Sequence, residues 1–170
     1  MNVENLNRVF DYCYWANRKL FDTVRQLAPD QYTQPLPGSK GSIRDTMVHM
    51  LSAEWGWLDR CGGPKRGAPL NPADYPTPDA VIDRWSQVER RMRDFLAGLQ
   101  DGDLARPIEF TIGGSEKRSV PLGDLLYHAA NHGTHHRGQV SLRLRHLGYD
   151  PANFDILFYY AEKSRPAPYP

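Results

Sequence analysis

Four of the chain's six histidines lie in one short segment, from His128 to Gln139. Apolar residues recur at helical spacing from Leu125 to Leu147, so this segment is predicted to be a helix. His132 and His136 are four residues apart, which places their rings on the same side of the helix, with Cβ atoms about 6 Å apart. Two imidazoles arranged in this way can bind one transition-metal ion, as the two histidines of a helical H-E-x-x-H motif do.

The periodicity of this helix also predicts how deeply each histidine lies. At about 100° per residue, His132 and His136 fall in the middle of an apolar stripe, and His128 and His135 fall roughly 60–80° away, at its edge. The other members of the stripe are Leu125, Ala129, Val140 and Leu147. A buried imidazole without a partner costs about 1–3 kcal/mol, so both rings must be hydrogen-bonded or metal-bound. For a single histidine we would favour a hydrogen-bonded core role, whereas this pair, with two further histidines beside it, favours a metal site.

Length and composition indicate one globular domain over residues 1–170. The chain is 40% hydrophobic and 24% charged, with a mean hydropathy of -0.63, values typical of soluble proteins. A net charge of +1 gives no basic field for nucleic acid. No apolar run approaches the ~20 residues of a membrane span, and no secretory signal is recognisable at the N-terminus. We therefore expect a cytoplasmic protein, whose two cysteines, Cys13 and Cys61, are free thiols rather than a disulfide framework.

Helical periodicity and helix-start signals predict four long helices in the chain. The predicted helices span about residues 3–27, 42–60, 78–99 and 122–147. Ser42 and Asp45 resemble a capping box at the start of the second helix, and Thr77 precedes a proline at the first position of the third. Proline-rich segments at residues 29–38 and 62–78 cannot continue the helices before them.

The segment before the fourth helix has a different pattern. Residues 107–112 and 118–122 flank a glycine-rich turn, which predicts a short β-hairpin or an extended insertion. Gly148 is the glycine expected just after the fourth helix, and residues 149–160 predict a turn and a short aromatic helix. The fold class is therefore all-α: a four-helix bundle with an insertion before its last helix. Such bundles build sites from facing helices, so a third ligand is expected on one of the first three.

His49 is the histidine that lies on another predicted bundle helix. It is not on the main apolar stripe of the second helix. It shares the other side with Asp45, Ser52, Ala53 and Gly56. Small side chains on that side allow a neighbouring helix to approach or leave a cavity, and either would suit a ligand. Periodicity by itself does not select His49.

The chain resembles the DinB/YfiT-like family of four-helix-bundle proteins over most of its length. The matching motifs are Trp15-Ala-Asn17, His49 with Trp55 and Trp57, Asn131-His132-Gly-Thr-His135-His136-Arg137-Gly138-Gln139, and Gly148-Tyr-Asp-Pro151 with Asp155. The resemblance implies a divalent metal held by three histidines, here His49, His132 and His136. It does not choose between zinc, nickel and iron, all of which accept imidazole ligands. Three histidine ligands leave a fourth position open, as in catalytic zinc sites.

The resemblance also implies a function. Related proteins include transferases that attach low-molecular-weight thiols, such as bacillithiol or mycothiol, to electrophiles, and a thiol-dependent isomerase. By this analogy we expect a metal-dependent enzyme that acts on a small molecule, with a thiol or water activated at the metal. The loop at residues 62–78 would then shape the electrophile pocket.

Two other functions stay open at this point. The chain could be a metal-binding or stress-response protein without catalysis, or a bundle whose histidines serve only packing or dimerisation. The family's relatives are commonly homodimers, and the aromatic residues of the tail offer an apolar surface for such a contact. These residues are Phe154, Phe158, Tyr159 and Tyr160.

Several polar residues are candidates to support the metal ligands. Asp11, Asn17 and Glu54 could fix the tautomers of the histidine rings, whereas Asp45 is expected to be occupied by helix capping. The remaining polar residues of the motif have other expected roles. Arg137 is expected to pair with Asp155 or, alternatively, to bind an anionic substrate. Gln139 is expected to make a helix-packing hydrogen bond, and His128 and His135 are interpreted as supporting or surface groups.

Overall fold

The computed structural model describes residues 1–35, 41–63, 65, 67–112 and 114–164. Its helices are α1 (Val3–Val24), α2 (Pro29–Thr33), α3 (Ile43–Arg60), α4 (Pro78–Ala97), α5 (Leu122–His146) and α6 (Ile156–Lys163), and its strands are β1 (Pro107–Ile112) and β2 (Glu116–Pro121). Single 3-10 turns lie at Pro72–Asp74 and Asp101–Ala105. The predicted fold class is confirmed: a helical bundle with a β-hairpin before its last long helix and a short C-terminal helix.

The four long helices, α1, α3, α4 and α5, form the bundle. α5 packs between α1 and α3, and α4 packs against the same two helices. β1 and β2 are antiparallel, with Pro107 opposite Pro121 and Ile112 opposite Glu116. Ile108 of the hairpin and Tyr159 of α6 are buried in the hydrophobic core beside the bundle helices. None of the described helices combines the length and apolar character that crossing a membrane would require.

The predicted helix starts are confirmed by their capping hydrogen bonds. The Asp45 backbone N–H donates to Ser42 Oγ at 3.1 Å, and the Ser42 N–H donates to Asp45 Oδ2 at 2.9 Å, which completes the capping box of α3. Thr77 caps α4 by accepting from the backbone N–H of Ala80 at 3.3 Å. Because these caps fix where each helix begins, they also fix which residues share its faces.

The N-terminal part of the chain differs from the prediction in two places. α1 ends at Val24 rather than Leu27, because the chain tightens there into hydrogen bonds between residues three apart. Leu27 is nevertheless buried, which explains why the apolar pattern runs past the helix end. The first proline-rich segment is not all loop, since Pro29 begins α2 and Tyr32 on α2 is fully buried. Residues 36–40 of that segment lie outside the described residues.

The other element ends lie close to their predicted positions. α4 ends at Ala97 instead of Leu99, and β2 begins at Glu116, two residues before the predicted start of that arm. Within the predicted tail, α6 begins at Ile156, where the side chain of Asp155 accepts from the Leu157 N–H at 2.9 Å. The predicted fraying of residues 165–170 falls outside the described part of the chain.

Candidate metal centre

The three histidines implied by the resemblance lie together on the outer side of the α3–α5 contact. The ring centroid of His49 is 5.1 Å from that of His132 and 4.7 Å from that of His136, and the latter two are 4.4 Å apart. Each ring offers one nitrogen to a group whose atoms all lie within 4.8 Å of one another. Among the described residues, this cluster could hold a metal ion.

The antiparallel packing of α3 and α5 brings these residues together. Trp57, near the end of α3, contacts His128, near the start of α5, with ring centroids 4.9 Å apart. Eight residues earlier on α3 and eight later on α5, His49 meets His136. The two α5 ligands are one helical turn apart, so both reach the same point beside α3.

The prediction that His132 and His136 lie in the middle of the buried face of α5 is wrong. Both are half-buried, and His49 is exposed. The buried residues of α5 include Leu126, Ala130, Arg137, Ser141 and Leu144 besides Leu125, Ala129 and Val140. Their mean direction lies about 70° from the predicted stripe at 100° per residue. The predicted stripe missed this rotation because it included the two histidines and left out Leu126, Ala130 and Leu144. The cluster therefore sits at the edge of the core, with one side open to solvent.

Gln139 orients the His136 ring of this cluster and also contacts His135. Its Oε1 lies 2.7 Å from His136 Nδ1, and its Nε2 lies 3.0 Å from His135 Nε2. A carbonyl oxygen only accepts, so His136 Nδ1–H donates and leaves a lone pair on its Nε2. The prediction that Gln139 makes a helix-packing hydrogen bond is wrong. Its spacing, three residues after one histidine and four after another, was the signal that could have revealed its role.

The donor set fits a divalent transition metal. His136 Nε2 lies 3.1 Å from His132 Nε2, and two lone pairs cannot face each other at this distance without a proton or a cation between them. Nitrogens that coordinate one tetrahedral zinc at 2.0–2.1 Å are about 3.3 Å apart, close to the spacing seen in this pair. Three imidazoles without a carboxylate among them are ligands that zinc, nickel and iron all accept.

The electrostatics keep the two α5 rings neutral. Burial, reinforced by the charges of neighbouring histidines, lowers the pKa of His132 to about 4. Burial also lowers the pKa of His136, against the opposing effect of its hydrogen bond to Gln139. Metal ligands must be deprotonated. Near pH 7 both rings therefore have a lone pair available without first releasing a proton.

We expect Gln139→Leu to weaken metal binding about 10- to 100-fold, the usual loss when the group that orients a ligand histidine is removed. Without Oε1, His136 Nδ1–H has no fixed acceptor, so Nε2 no longer points steadily at the site. Zn²⁺ competition with a chromophoric chelator measures the change. The control is His128→Ala, which removes an exposed histidine that has no hydrogen bond to the cluster among the described contacts. Equal affinity in Gln139→Leu and wild type would contradict this role.

The metal-free protein should lose stability in acid partly through His132. The unfolded histidine has a pKa of about 6.5, and the folded one has a pKa of about 4. Between these values the unfolded state binds the extra proton, so the free energy of unfolding falls as pH falls through this window, and is unaffected by this group above it. Urea unfolding in EDTA at pH 7, 6, 5 and 4 should show a smaller fall for His132→Gln. Parallel curves for the two proteins would contradict the assignment.

The remaining motif histidines flank the cluster without joining it. His128 is exposed and lies edge-on to Trp57, with its centroid 5.9 Å from that of His132. His135 is exposed, with its ring centroid 4.9 Å from that of His136. Both positions agree with their interpretation as supporting or surface groups.

The predicted supporting residues Asp11, Asn17 and Glu54 have other partners. Asp11 forms an ion pair with Arg93, Asn17 accepts from Arg137, and Glu54 accepts from Tyr14 and Trp85. Asp45 serves the α3 cap, as expected. The predicted pairing of Arg137 with Asp155 is also wrong. Arg137 is buried inside the bundle, and its hydrogen-bond partners lie on α1 and on α5 itself.

Part of the loop predicted to rim the site contacts α3 near His49. The Leu70 backbone N–H donates to Ser52 Oγ at 3.3 Å. Ser52 is one helical turn after His49 and on the same side of α3. At the other end of this face, Trp57 packs edge-on to Phe110 of the hairpin, with centroids 5.4 Å apart. Loop and hairpin thus each contact α3, at Ser52 and at Trp57.

The fold and the cluster define a class of protein: a four-helix bundle with a three-histidine cluster that could hold a metal, on the last and second long helices. The sequence profile of the DinB family matches residues 1–166. The chain therefore belongs to the DinB family.

Relatives and solved structures agree with this membership. The chain is 26% identical to protein DinB of Bacillus subtilis (strain 168) over 157 residues, which covers 89% of this chain and 91% of the relative. It is 23% identical to the uncharacterized protein YizA of the same organism over 152 residues, which covers 88% and 92% of the two chains. The crystal structure of a DinB-like protein from Bacillus cereus ATCC 10987 superimposes with a TM-score of 0.75 at 19% identity, over 89% of this chain and 97% of the other. At this identity the likeness shows the fold.

Proposed function

We propose that this protein is a metal-dependent enzyme that transfers a low-molecular-weight thiol to a small electrophile. The observation that carries the proposal is the three-histidine cluster at the edge of the core, where His49 is exposed beside the half-buried His132 and His136. A closed structural metal site would be enclosed by four protein ligands, whereas three ligands and an exposed side leave a position for an exchangeable group. A divalent metal held by these histidines would lower the pKa of a bound thiol or water and so supply the nucleophile.

The surroundings of the cluster support a binding site for the second substrate. Trp57, Phe110 and His128 form an aromatic group at one end of the α3–α5 face. The guanidinium of Arg60 lies 5.0 Å from the centre of the Trp57 ring. Aromatic side chains beside a few polar groups are typical of small-molecule sites. We therefore propose that the electrophile lies at this end of the face, between the aromatic group and the histidines.

Two experiments test the proposal in sequence. Elemental analysis of the protein purified from its native source should find a divalent metal in wild type and its loss in His49→Ala and His132→Ala. Full retention of the metal by both variants would remove the site assignment. The metal-loaded protein is then assayed with thiols and chlorodinitrobenzene, where thiolate attack forms a C–S bond, chloride leaves, and the thiol proton passes to solvent. A rate that depends on His49 supports the transferase. Tight metal binding without any protein-dependent rate favours a non-catalytic metal-binding protein.

We also propose that the protein is a homodimer in which α6 contributes to the contact. On α6, Leu157 is 68% exposed and Phe158 is 50% exposed, an apolar area that a second copy could cover. Light scattering should give a dimer mass for wild type and a monomer mass for Leu157→Ser/Phe158→Ser. Tyr127→Ser is the control, because Tyr127 lies on α5 and is as exposed as Phe158. A monomeric wild type, or a dimeric double variant, would contradict this proposal.

A further inference from the structure

A polar layer crosses the interior of the bundle at the height of the histidine cluster. The core consists of two hydrophobic clusters, one around Leu6, Phe10 and Leu126 and the other around Leu20, Leu51 and Leu144. Between them, each long helix contributes a polar group. These groups are Asn17 on α1, Glu54 on α3, the indole N–H of Trp85 on α4 and Arg137 on α5. Burying polar groups costs free energy that apolar side chains at this level of the bundle would not cost. We therefore expect this layer to have a physical role.

Arg137 occupies the centre of this layer. Its side chain is only 1% exposed. Nη1 donates to Asn17 Oδ1 at 3.1 Å, and Nη2 donates to Thr134 Oγ1 at 2.7 Å and to Cys13 Sγ at 3.8 Å. The guanidinium also lies 5.5 Å from the centre of the Tyr12 ring. One side chain of α5 thus contacts three residues of α1, namely Tyr12, Cys13 and Asn17.

Glu54 is the polar residue that α3 contributes to this layer. Burial raises its pKa, and the hydrogen bonds from Tyr14 and Trp85 and the charge of Arg137 oppose that rise. Glu54 and Arg137 line the same small cavity of about 10 Å³, which has room for about one water molecule. Nε of Arg137 is buried without a partner among the described residues. A water in this cavity would satisfy Nε and could bridge it to the Glu54 carboxylate.

The backbone of α5 is shaped to admit this guanidinium. A Cβ atom at Gly133 would lie 3.1 Å from Arg137 Nη1, closer than side chains normally approach. A Cβ atom at Gly138, on the other side of Arg137, would meet nothing within 4 Å. Glycine weakens a helix relative to alanine, and only the first of these two glycines has a contact that explains its presence.

We propose that Arg137 is a positioning residue that sets the rotation of α5 so that His132 and His136 converge on His49. The proposal rests on the metal site of the proposed function. Arg137 directly follows His136 and points about 100° away from it around the helix, into the core. Its hydrogen bonds to α1 therefore hold the helix from a direction about 100° from His136 and about 140° from His132, and the Glu54 carboxyl group of α3 lines the same cavity. A rotation of α5 by about 20° would move a ring nitrogen by about 2 Å, against a tolerance of about 0.2 Å for metal–ligand distances.

The two glycines of α5 provide a matched pair of variants. Gly133→Ala and Gly138→Ala change the helix backbone in the same way, but only Gly133→Ala pushes on Arg137. We expect Gly138→Ala to raise the melting temperature and leave the Kd for Co²⁺ unchanged. Gly133→Ala should raise the Kd about threefold to tenfold, on the scale of a weakened supporting contact. Equal Kd values for these two variants would overturn the proposal.

Replacement of Arg137 itself gives the larger effect. Arg137→Met/Glu54→Gln removes both buried charges together, so neither is left unpaired and the bundle can fold. In this variant we expect the Kd for Co²⁺ to rise at least about tenfold, while circular dichroism stays that of a folded helical protein. A folded double variant with the Kd of wild type would overturn the proposal, because a merely structural role predicts that result.

A measurement on the metal-free protein distinguishes the positioning role of Arg137 from the metal-dependent function. Histidine-ring NMR of the EDTA-treated protein reports the approach of α5 to α3 through a nuclear Overhauser signal between the ring of His49 and those of His132 and His136, whose centroids lie 5.1 and 4.7 Å from that of His49. We expect this signal in wild type and Gly138→Ala, and its broadening or loss in the Arg137→Met/Glu54→Gln variant. Unchanged ring signals in that variant would overturn the positioning role. A wild type with ordered rings that binds no Co²⁺ would instead refute the metal-dependent function and leave the positioning of the rings in place.

Discussion

Replacement of His132 by alanine is expected to raise the Kd for Zn²⁺ at least about 100-fold. The loss of a group that only orients a ligand costs 10- to 100-fold, and His132 is itself a donor. Its ring lies 5.1 Å from that of His49 and 4.4 Å from that of His136, centroid to centroid. Its lone pair is also available without proton release near pH 7, since its pKa lies at about 4. Competition with a chromophoric chelator at pH 7 measures the change.

The matched control for this variant is His146→Ala. His146 is an exposed histidine on the same helix, ten residues beyond His136, so its removal changes the histidine content without reaching the cluster. We expect His146→Ala to bind Zn²⁺ as wild type does. If both variants lost affinity equally, or if neither did, the binding site would lie elsewhere and the assignment of His132 would be wrong.

Metal should raise the melting temperature of the protein by about 8–16 °C. A ligand that binds only the folded state stabilises it by about 4 kcal/mol at a free concentration 1,000 times its Kd. For a domain of this size each kcal/mol shifts the melting temperature by about 2–4 °C. Calorimetry with Zn²⁺ and with EDTA measures the difference. The shift should disappear in His49→Ala/His132→Ala, which removes donors from both helices.

The same measurement decides between metal binding and packing as the role of the histidines. If the rings serve only packing or dimerisation, the melting temperatures in Zn²⁺ and EDTA will coincide. A shift that persists in the double variant would place the bound metal outside the cluster. Either result would contradict a metal-binding role for these three histidines.

Local sequence signals predicted the fold well where the physics is local. The capping box of Ser42 and Asp45 marked the start of α3, and Gly148, with φ of +86°, marked the end of α5. These signals work because each depends on hydrogen bonds or torsions within a few residues. The end of α1 was predicted too late, since Leu27 is buried from a tightened turn that apolar periodicity cannot distinguish from a helix.

The candidate site was predictable only in part from its residues. The spacing of His132 and His136 identified the pair on one helix, because i, i+4 neighbours are close in any helix. His49 was selected only through the family resemblance, since its approach to the pair depends on how α3 packs against α5. Periodicity placed His132 and His136 too deep because the predicted stripe ran through them and left out Leu126, on the true buried face. The burial of the Arg137 guanidinium among groups of α1 and α5 is a tertiary feature that no helical wheel can register.

The most direct test of the metal site is anomalous diffraction from crystals of the protein grown with Zn²⁺, recorded on both sides of the zinc absorption edge. We expect one strong anomalous peak about 2.0–2.1 Å from a ring nitrogen of each of His49, His132 and His136, with no protein atom in the fourth position. A peak bound by other residues, or rings of these three histidines that do not converge on one point in the zinc-grown crystals, would contradict the three-histidine site.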